Sequence, residues 1–159
     1  MILRQAEPRD IPQILAFWNP LIRDTSVTFT TVEKTPEALA ADMAARGAAF
    51  QVAEKAGKVL GFASYGAFRS GPGYAHTAEH TVILAPEAHG QGIGRALMTR
   101  LEEVARAADM HVLVAGVSGE NLGAIAFHRA IGFAEVARMP EVGRKFGRWM
   151  DLVLLQKIL

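Results

Sequence analysis

The stretch His89-Gly90-Gln91-Gly92-Ile93-Gly94-Arg95 stands between an alternating run, His76 to Ala85, and a helix-spaced one, Ile93, Leu97, Leu101, Val104 and Ala108. The first run is rich in Thr, Val and Ile, and predicts a central strand ending at Pro86. The second predicts an amphipathic helix from about Gly92, with Arg100, Glu102, Glu103 and Arg106 set off its apolar stripe. A glycine-rich turn at such a junction presents bare backbone N–H groups at the positive end of a helix, where they can close around phosphate oxygens. Gly-Lys-Ser/Thr of the ATP-binding loop is missing, and the third glycine comes one residue too early for a dinucleotide fingerprint. Three alternating glycines can also serve only to let helix and strand pack, so the surrounding chain must decide.

On the N-terminal side, Met1 to Gln5 reads as a short strand. Pro8 then precedes a helix with Ile11, Ile14, Leu15 and Trp18 at helical spacing, which Asn19-Pro20 is expected to end. Asp24 to Thr35 reads as a Thr-rich loop, and Pro36 opens a second helix through Leu39 and Met43 that Gly47 stops. Phe50–Glu54 and Val59–Phe68 flank Ala56-Gly57-Lys58 as a hairpin, followed by the loop Ser70-Gly71-Pro72-Gly73. On the C-terminal side, Val112–Val117 predicts a buried strand and Asn121–Ile131 a helix closed by Gly132. Phe133–Arg138 and Trp149–Leu155 are the last strands. This order predicts an α/β chain with a mixed sheet and helices on its faces.

At 159 residues and 50% hydrophobic composition, one domain spanning 1–159 is expected. The absence of cysteine excludes disulfides, thiolate zinc sites and an enzyme thioester, which favours direct group transfer. A net charge of +1 with interspersed signs offers no footprint for nucleic acid. The N-terminus has no signal-like apolar region, and no window approaches a membrane span, so a soluble cytoplasmic protein without a membrane partner is expected. His76 and His80 share a strand face, but the spacings of His76, Glu79, His80 and His89 fit no standard zinc pattern, and no metal is expected.

The glycine loop resembles the acyl-CoA-binding motif of the GNAT acetyltransferases, with His89 where that family usually carries Gln or Arg. Asn121-Leu122-Gly123-Ala124-Ile125-Ala126-Phe127-His128-Arg129-Ala130-Ile131-Gly132-Phe133 is similar to the family's following helix, with His128 where many relatives have Tyr. Glu79-His80-Thr81 and Val142-Gly143-Arg144-Lys145-Phe146-Gly147-Arg148-Trp149 resemble the branch that acetylates phosphinothricin, methionine sulfoximine and methionine sulfone. The resemblance implies the GNAT fold, a central mixed sheet flanked by about four helices, with acetyl-CoA as co-substrate. It implies cofactor contacts from Val82, Ile83 and Leu84 to the pantetheine arm, from Gly90, Gln91, Gly92, Ile93, Gly94 and Arg95 to the phosphates, and from Asn121. It further implies an acceptor pocket of Phe29, Arg69, Ser70, Gly71, Glu79, His80 and Thr81, with Arg69 as clamp for an α-carboxylate. A homodimer formed through Leu152–Leu155, taken as an apolar edge strand, and Arg144–Trp149 is implied as well.

Chemistry assigns roles within that set. An amine attacks a thioester only when neutral, so a base must take its proton, and Glu79 on an otherwise Thr- and Ile-lined strand face is the candidate. His128 could protonate the departing thiolate or help deprotonate the amine. Carbonyl polarisation is expected from a backbone N–H near Val82 to Leu84. Two alternatives stay open: an acetyltransferase acting on protein or peptide N-termini, and a catalytically silent acyl-CoA-binding module. A nucleotide-binding protein is remote, since the loop lacks the supporting lysine and ribose-binding acid.

Overall fold

The computed structural model describes residues 1–159 and runs β1 (Ile2–Gln5), α1 (Ile11–Asp24), α2 (Pro36–Arg46), β2 (Phe50–Lys55), β3 (Lys58–Ala67), β4 (Thr77–Leu84), α3 (Ile93–Ala107), β5 (Val112–Ser118), α4 (Leu122–Ala130), β6 (Ala134–Lys145) and β7 (Arg148–Ile158). The seven strands form one sheet in the order β1-β2-β3-β4-β5-β7-β6. Every neighbouring pair is antiparallel except β4 and β5, which α3 joins by a crossover. This is the mixed sheet with helices on its faces that the order of elements predicts. No helix is long and apolar enough to cross a membrane.

Alternation along β4 separates two environments. Phe62, the cross-strand partner of Ile83, packs on Phe17 and Trp18, so the face carrying Glu79, Thr81 and Ile83 looks toward α1. His80 meets His128 of α4, and Leu84 approaches Gly94 of α3, so the face carrying His80, Val82 and Leu84 looks toward α3 and α4. The β4–β5 ladder ends at His80–Ala115, whereas β4 stays paired to β3 as far as Leu84 and β5 to β7 as far as Ser118. Beyond that point β4 and β5 part, and a slot opens through the sheet.

Several expectations are corrected. The first helix passes through Pro20 and ends at Asp24. A proline inside a helix costs about 3 kcal/mol. Offsetting it here, Ile22 is fully buried and Thr25 caps the end, its Oγ1 donating to the Leu21 carbonyl at 2.6 Å. Glu102, expected on the solvated side of α3, is buried with its carboxylate held by Lys157 at 2.9 Å. The last two strands are a long hairpin that turns at Phe146-Gly147, both at positive φ. Pro140 and two register shifts interrupt the period in β6 and hide its length in the sequence. Leu152–Leu155 belongs to β7, which lies between β5 and β6 and is no edge strand; the edge is β6.

Candidate functional site

The slot between β4 and β5 widens into a cleft of about 740 Å³. Thr81, Val82, Ile83 and Leu84 form one wall and Ala115, Gly116, Val117 and Ser118 the other. On the α3 and α4 side it is closed by Gly94, Asn121, Ala124, Phe127 and His128; on the α1 side by Trp18, Leu21 and the loop Val27–Thr30. A long molecule can therefore enter on one face of the sheet and meet a second molecule arriving from the other. The edge of β4 from Thr81 to Leu84, unpaired by β5, leaves main-chain groups for an arm laid along it in the manner of an added strand.

Gly90 and Gly92 both sit at φ +76°, a conformation that side chains resist, and a Cβ at either would meet nothing within 4 Å. Gly92 is the N-cap of α3 and makes no side-chain cap, so the first N–H groups of that helix stay free. This open, donor-rich turn fits a pyrophosphate. Gly94 differs: a Cβ there would lie 3.1 Å from the Phe127 ring, so this glycine lets α3 approach α4. Ile93 points into the core and offers only its backbone. Gln91 donates to the Glu87 carbonyl and Arg95 to that of Ala130, both on the surface beside the loop. Asn121 lines the cleft as the N-cap of α4, its Oδ1 accepting from Ala124 N–H at 3.1 Å, which leaves its amide N–H donors free.

Glu79 is the only carboxylate among the cleft-lining residues. Its side chain extends over β5 where Gly116 leaves room: a Cβ at 116 would stand 2.9 Å from Glu79 Oε1. The cleft walls strip water from the carboxyl and raise its pKa above the ordinary carboxylate range, although the side chain stays open to solvent along the cleft. A glycine in the middle of the run Val112-Leu113-Val114-Ala115-Gly116-Val117 was the sequence signal for this close approach, and sequence reading passed over it.

His80 and His128 also reach the cleft wall, but as a buried pair, 6% and 3% exposed, with Nε2 to Nε2 at 2.8 Å. His128 Nδ1 lies 2.8 Å from the Ala124 carbonyl, which can only accept, so Nδ1 carries a proton. In the neutral pair His128 Nε2 is then bare and accepts from His80 Nε2–H, leaving His80 Nδ1 as a buried acceptor without partner. Burial, reinforced by His128, lowers the pKa of His80 to about 3, and burial lowers that of His128. The expected acceptor-site role for His80 finds it turned toward α4, away from Glu79.

At the α1 end Phe29 packs flat against Gly143, where a Cβ would collide at 2.6 Å, and buried Lys145 donates to the Thr28 carbonyl at 2.8 Å, fastening the loop to β6. Phe29, Thr81 and Glu79 thus share one chamber with Trp18, Leu21, Lys34 and Leu152, four residues the sequence reading did not select. Arg69, Ser70 and Gly71 are exposed and lie outside the walls; Arg69 stands 5.8 Å over the Tyr74 ring. No group of three or more His, Asp or Glu is arranged to hold a metal.

Known proteins share this arrangement. Residues 17–133 match the description "Acetyltransferase (GNAT) family". Over 159 aligned positions the chain is 37% identical to the L-methionine sulfoximine/L-methionine sulfone acetyltransferase of Salmonella typhimurium, covering 98% of this chain and 93% of that one. A ribosomal-protein-alanine N-acetyltransferase from Brucella melitensis superposes with a TM-score of 0.94 at 40% identity, covering 100% of each chain. A phosphinothricin acetyltransferase from Sinorhizobium meliloti, solved in complex with acetyl-CoA, superposes with a TM-score of 0.92 at 30% identity, covering 99% of this chain and 88% of that one. With the glycine turn, the parted strands and a match across most of its length, the chain belongs to the GNAT acetyltransferase family and is an acetyl-CoA-dependent N-acetyltransferase.

Proposed function

We propose that the acceptor is a small amino-acid-like amine of the phosphinothricin, methionine sulfoximine or methionine sulfone type, and that Glu79 is the general base. The observation that carries this reading is the lone carboxylate at the point where β4 and β5 part, laid over Gly116 and facing the chamber that Phe29 closes. The bound cofactor supplies an acetyl group activated as a thioester. Gly90 to Arg95 hold its phosphates, Val82 to Leu84 its arm, and the Asn121 amide a polar group along it. Glu79 accepts the proton of the acceptor's ammonium at a carboxylate oxygen, and its raised pKa brings it nearer the amine it must deprotonate. His128 has its one bare nitrogen committed to His80, so it shapes the wall of the reaction chamber and leaves proton transfer to Glu79. The single unit 1–159 acts in the cytoplasm as a homodimer, for which the exposed Val136, Met139, Val142, Phe146 and Trp149 on the β6–β7 hairpin supply apolar surface.

The similarity to the Brucella protein favours a second reading, acetylation of an alanine-terminated peptide. The Val27–Thr30 loop, pinned by Lys145, covers the acceptor end and leaves less room for a chain than for a free amino acid. Release of free CoA on mixing with acetyl-CoA and methionine sulfone, methionine sulfoximine or phosphinothricin, lost in Glu79→Gln, is the expected result. Release only with an alanine-terminated peptide would install the second reading.

A further inference from the structure

Among the residues lining the cleft, Lys34 is the one lysine or arginine. Three features set it apart from a surface lysine. Its main chain is clamped from both sides by Asn19, whose Oδ1 accepts from Lys34 N–H at 2.8 Å and whose Nδ2 donates to the Lys34 carbonyl at 3.0 Å. Its ammonium lies 5.2 Å over the ring of Trp18, itself a wall of the chamber. Its three N–H donors have no oxygen partner in the protein; exposed Lys55 shares this, but Lys34 combines it with a place in the cleft wall, whereas Lys58, Lys145 and Lys157 each hold a partner. Neighbouring Glu33, the nearest acid in sequence, is occupied by Arg23.

A half-buried cation aimed along an aromatic wall, with its donors unspent, is prepared for an oxyanion. We infer that Lys34 is a specificity-determining residue that binds an oxyanion of the acceptor while Glu79 faces the acceptor's amine. The inference rests on the proposed small-molecule acceptor and gives it a class: amines that carry a negative group. Arg69, the expected clamp, lies outside the chamber, so Lys34 fills the need for positive charge that an amino acid brings with it. The oxyanion is either the α-carboxylate or an acidic group further along the side chain; both offer the same chemistry to an ammonium.

Calorimetric binding to the CoA-loaded protein tests this without depending on turnover. The ligands are phosphinothricin, with carboxylate and phosphinate; methionine sulfone, with carboxylate alone; and 3-(methylsulfonyl)propylamine, with neither. Lys34→Met is expected to weaken an oxyanion-bearing ligand about 10- to 100-fold, the range for a hydrogen bond to a charged group, with Lys34→Arg restoring most of it. Loss for phosphinothricin alone assigns the side-chain group; equal loss for phosphinothricin and methionine sulfone assigns the α-carboxylate; the simple amine stays unchanged in either case. Unaltered affinity for all three, or an equal fall that includes the simple amine, overturns the inference while leaving the acceptor class intact. Failure of the wild-type protein to bind any of them, with acetylation of an alanine-terminated peptide, overturns the acceptor reading and the inference together.

Discussion

Glu79 and His80 are consecutive residues on one strand, and they live in opposite worlds. Glu79 looks toward α1 into a cleft that water can enter, over a glycine that leaves it room to move, and desolvation raises its pKa. His80 looks toward α4, is sealed against His128 and Phe133, and burial drives its pKa down to about 3. Both shifts disfavour charge, yet they prepare different things. The carboxyl titrates higher than an ordinary carboxylate on a side that water reaches, whereas burial favours the neutral form of both histidines. A β-strand can thus separate chemistry from packing by a single residue, because alternation sends neighbours to opposite faces.

The sharpest way to break this contrast is Glu79→Gln, which keeps shape and removes the proposed base. A loss of about 10²- to 10⁴-fold in kcat/KM is expected, the usual scale of general base catalysis. In the wild type kcat/KM should rise with pH through an inflection above the ordinary carboxylate range, since the base works only when deprotonated, and this limb should vanish in the variant. A residual pH limb at the same position would assign the base elsewhere. Next in size is Gly116→Val. A Cβ only 2.9 Å from Oε1 must push the carboxyl aside, and misplacement by about 1 Å costs on the order of 10²-fold. Affinity for CoA, measured separately, should survive, because the glycine turn at Gly90–Gly92 lies away from the substitution.

How much of this was legible in the sequence follows the same division. Period 2 in β4, period 3.6 in α3 and the glycines between them announce the proposed cofactor side, because those positions answer to local backbone geometry. Glu79 was visible for the same reason: alternation fixes its face, and its neighbours Thr81 and Ile83 fix its surroundings. Lys34, Trp18 and Leu21 were hidden, since only tertiary packing of α1 and the following loop carries them to β4 from far along the chain. The β7 strand was misjudged as an edge because its insertion between β5 and β6 is a matter of sheet order, which no local pattern encodes. Arg69 was selected by resemblance, and it stands over Tyr74 outside the cleft walls.

On the sealed face the expected effect is on stability. His80 and His128 have lower pKa values folded than unfolded, so the unfolded chain binds more protons at acid pH. Their contribution is complete above about pH 6.5, the unfolded value, and is lost as pH falls from there, for His80 toward about 3. His80 adds at most ~1.4 kcal/mol per pH unit over that window. Urea midpoints between pH 7.5 and pH 5 should therefore fall less steeply in a His80→Phe/His128→Phe double variant, whatever its stability at neutral pH. A slope equal to that of the wild type would mean that the pair takes up a proton without penalty in the folded state.

The smallest effect expected is the most discriminating for the open face. Arg69 stacks on Tyr74 at the surface and touches none of the chamber walls, so Arg69→Ala should change the KM for an amino-acid acceptor by less than about twofold, in the range of other exposed substitutions. Glu79, by contrast, already lines the chamber. A tenfold or larger rise in KM, with kcat preserved, would mean that the Ser70–Tyr74 segment folds inward when the acceptor binds, and that the open face closes by motion of this loop as well as by the fixed contact of Phe29 on Gly143. The guanidinium would then act alongside Lys34, and the two losses measured in the double variant would fall short of adding, as coupled contacts to one ligand do.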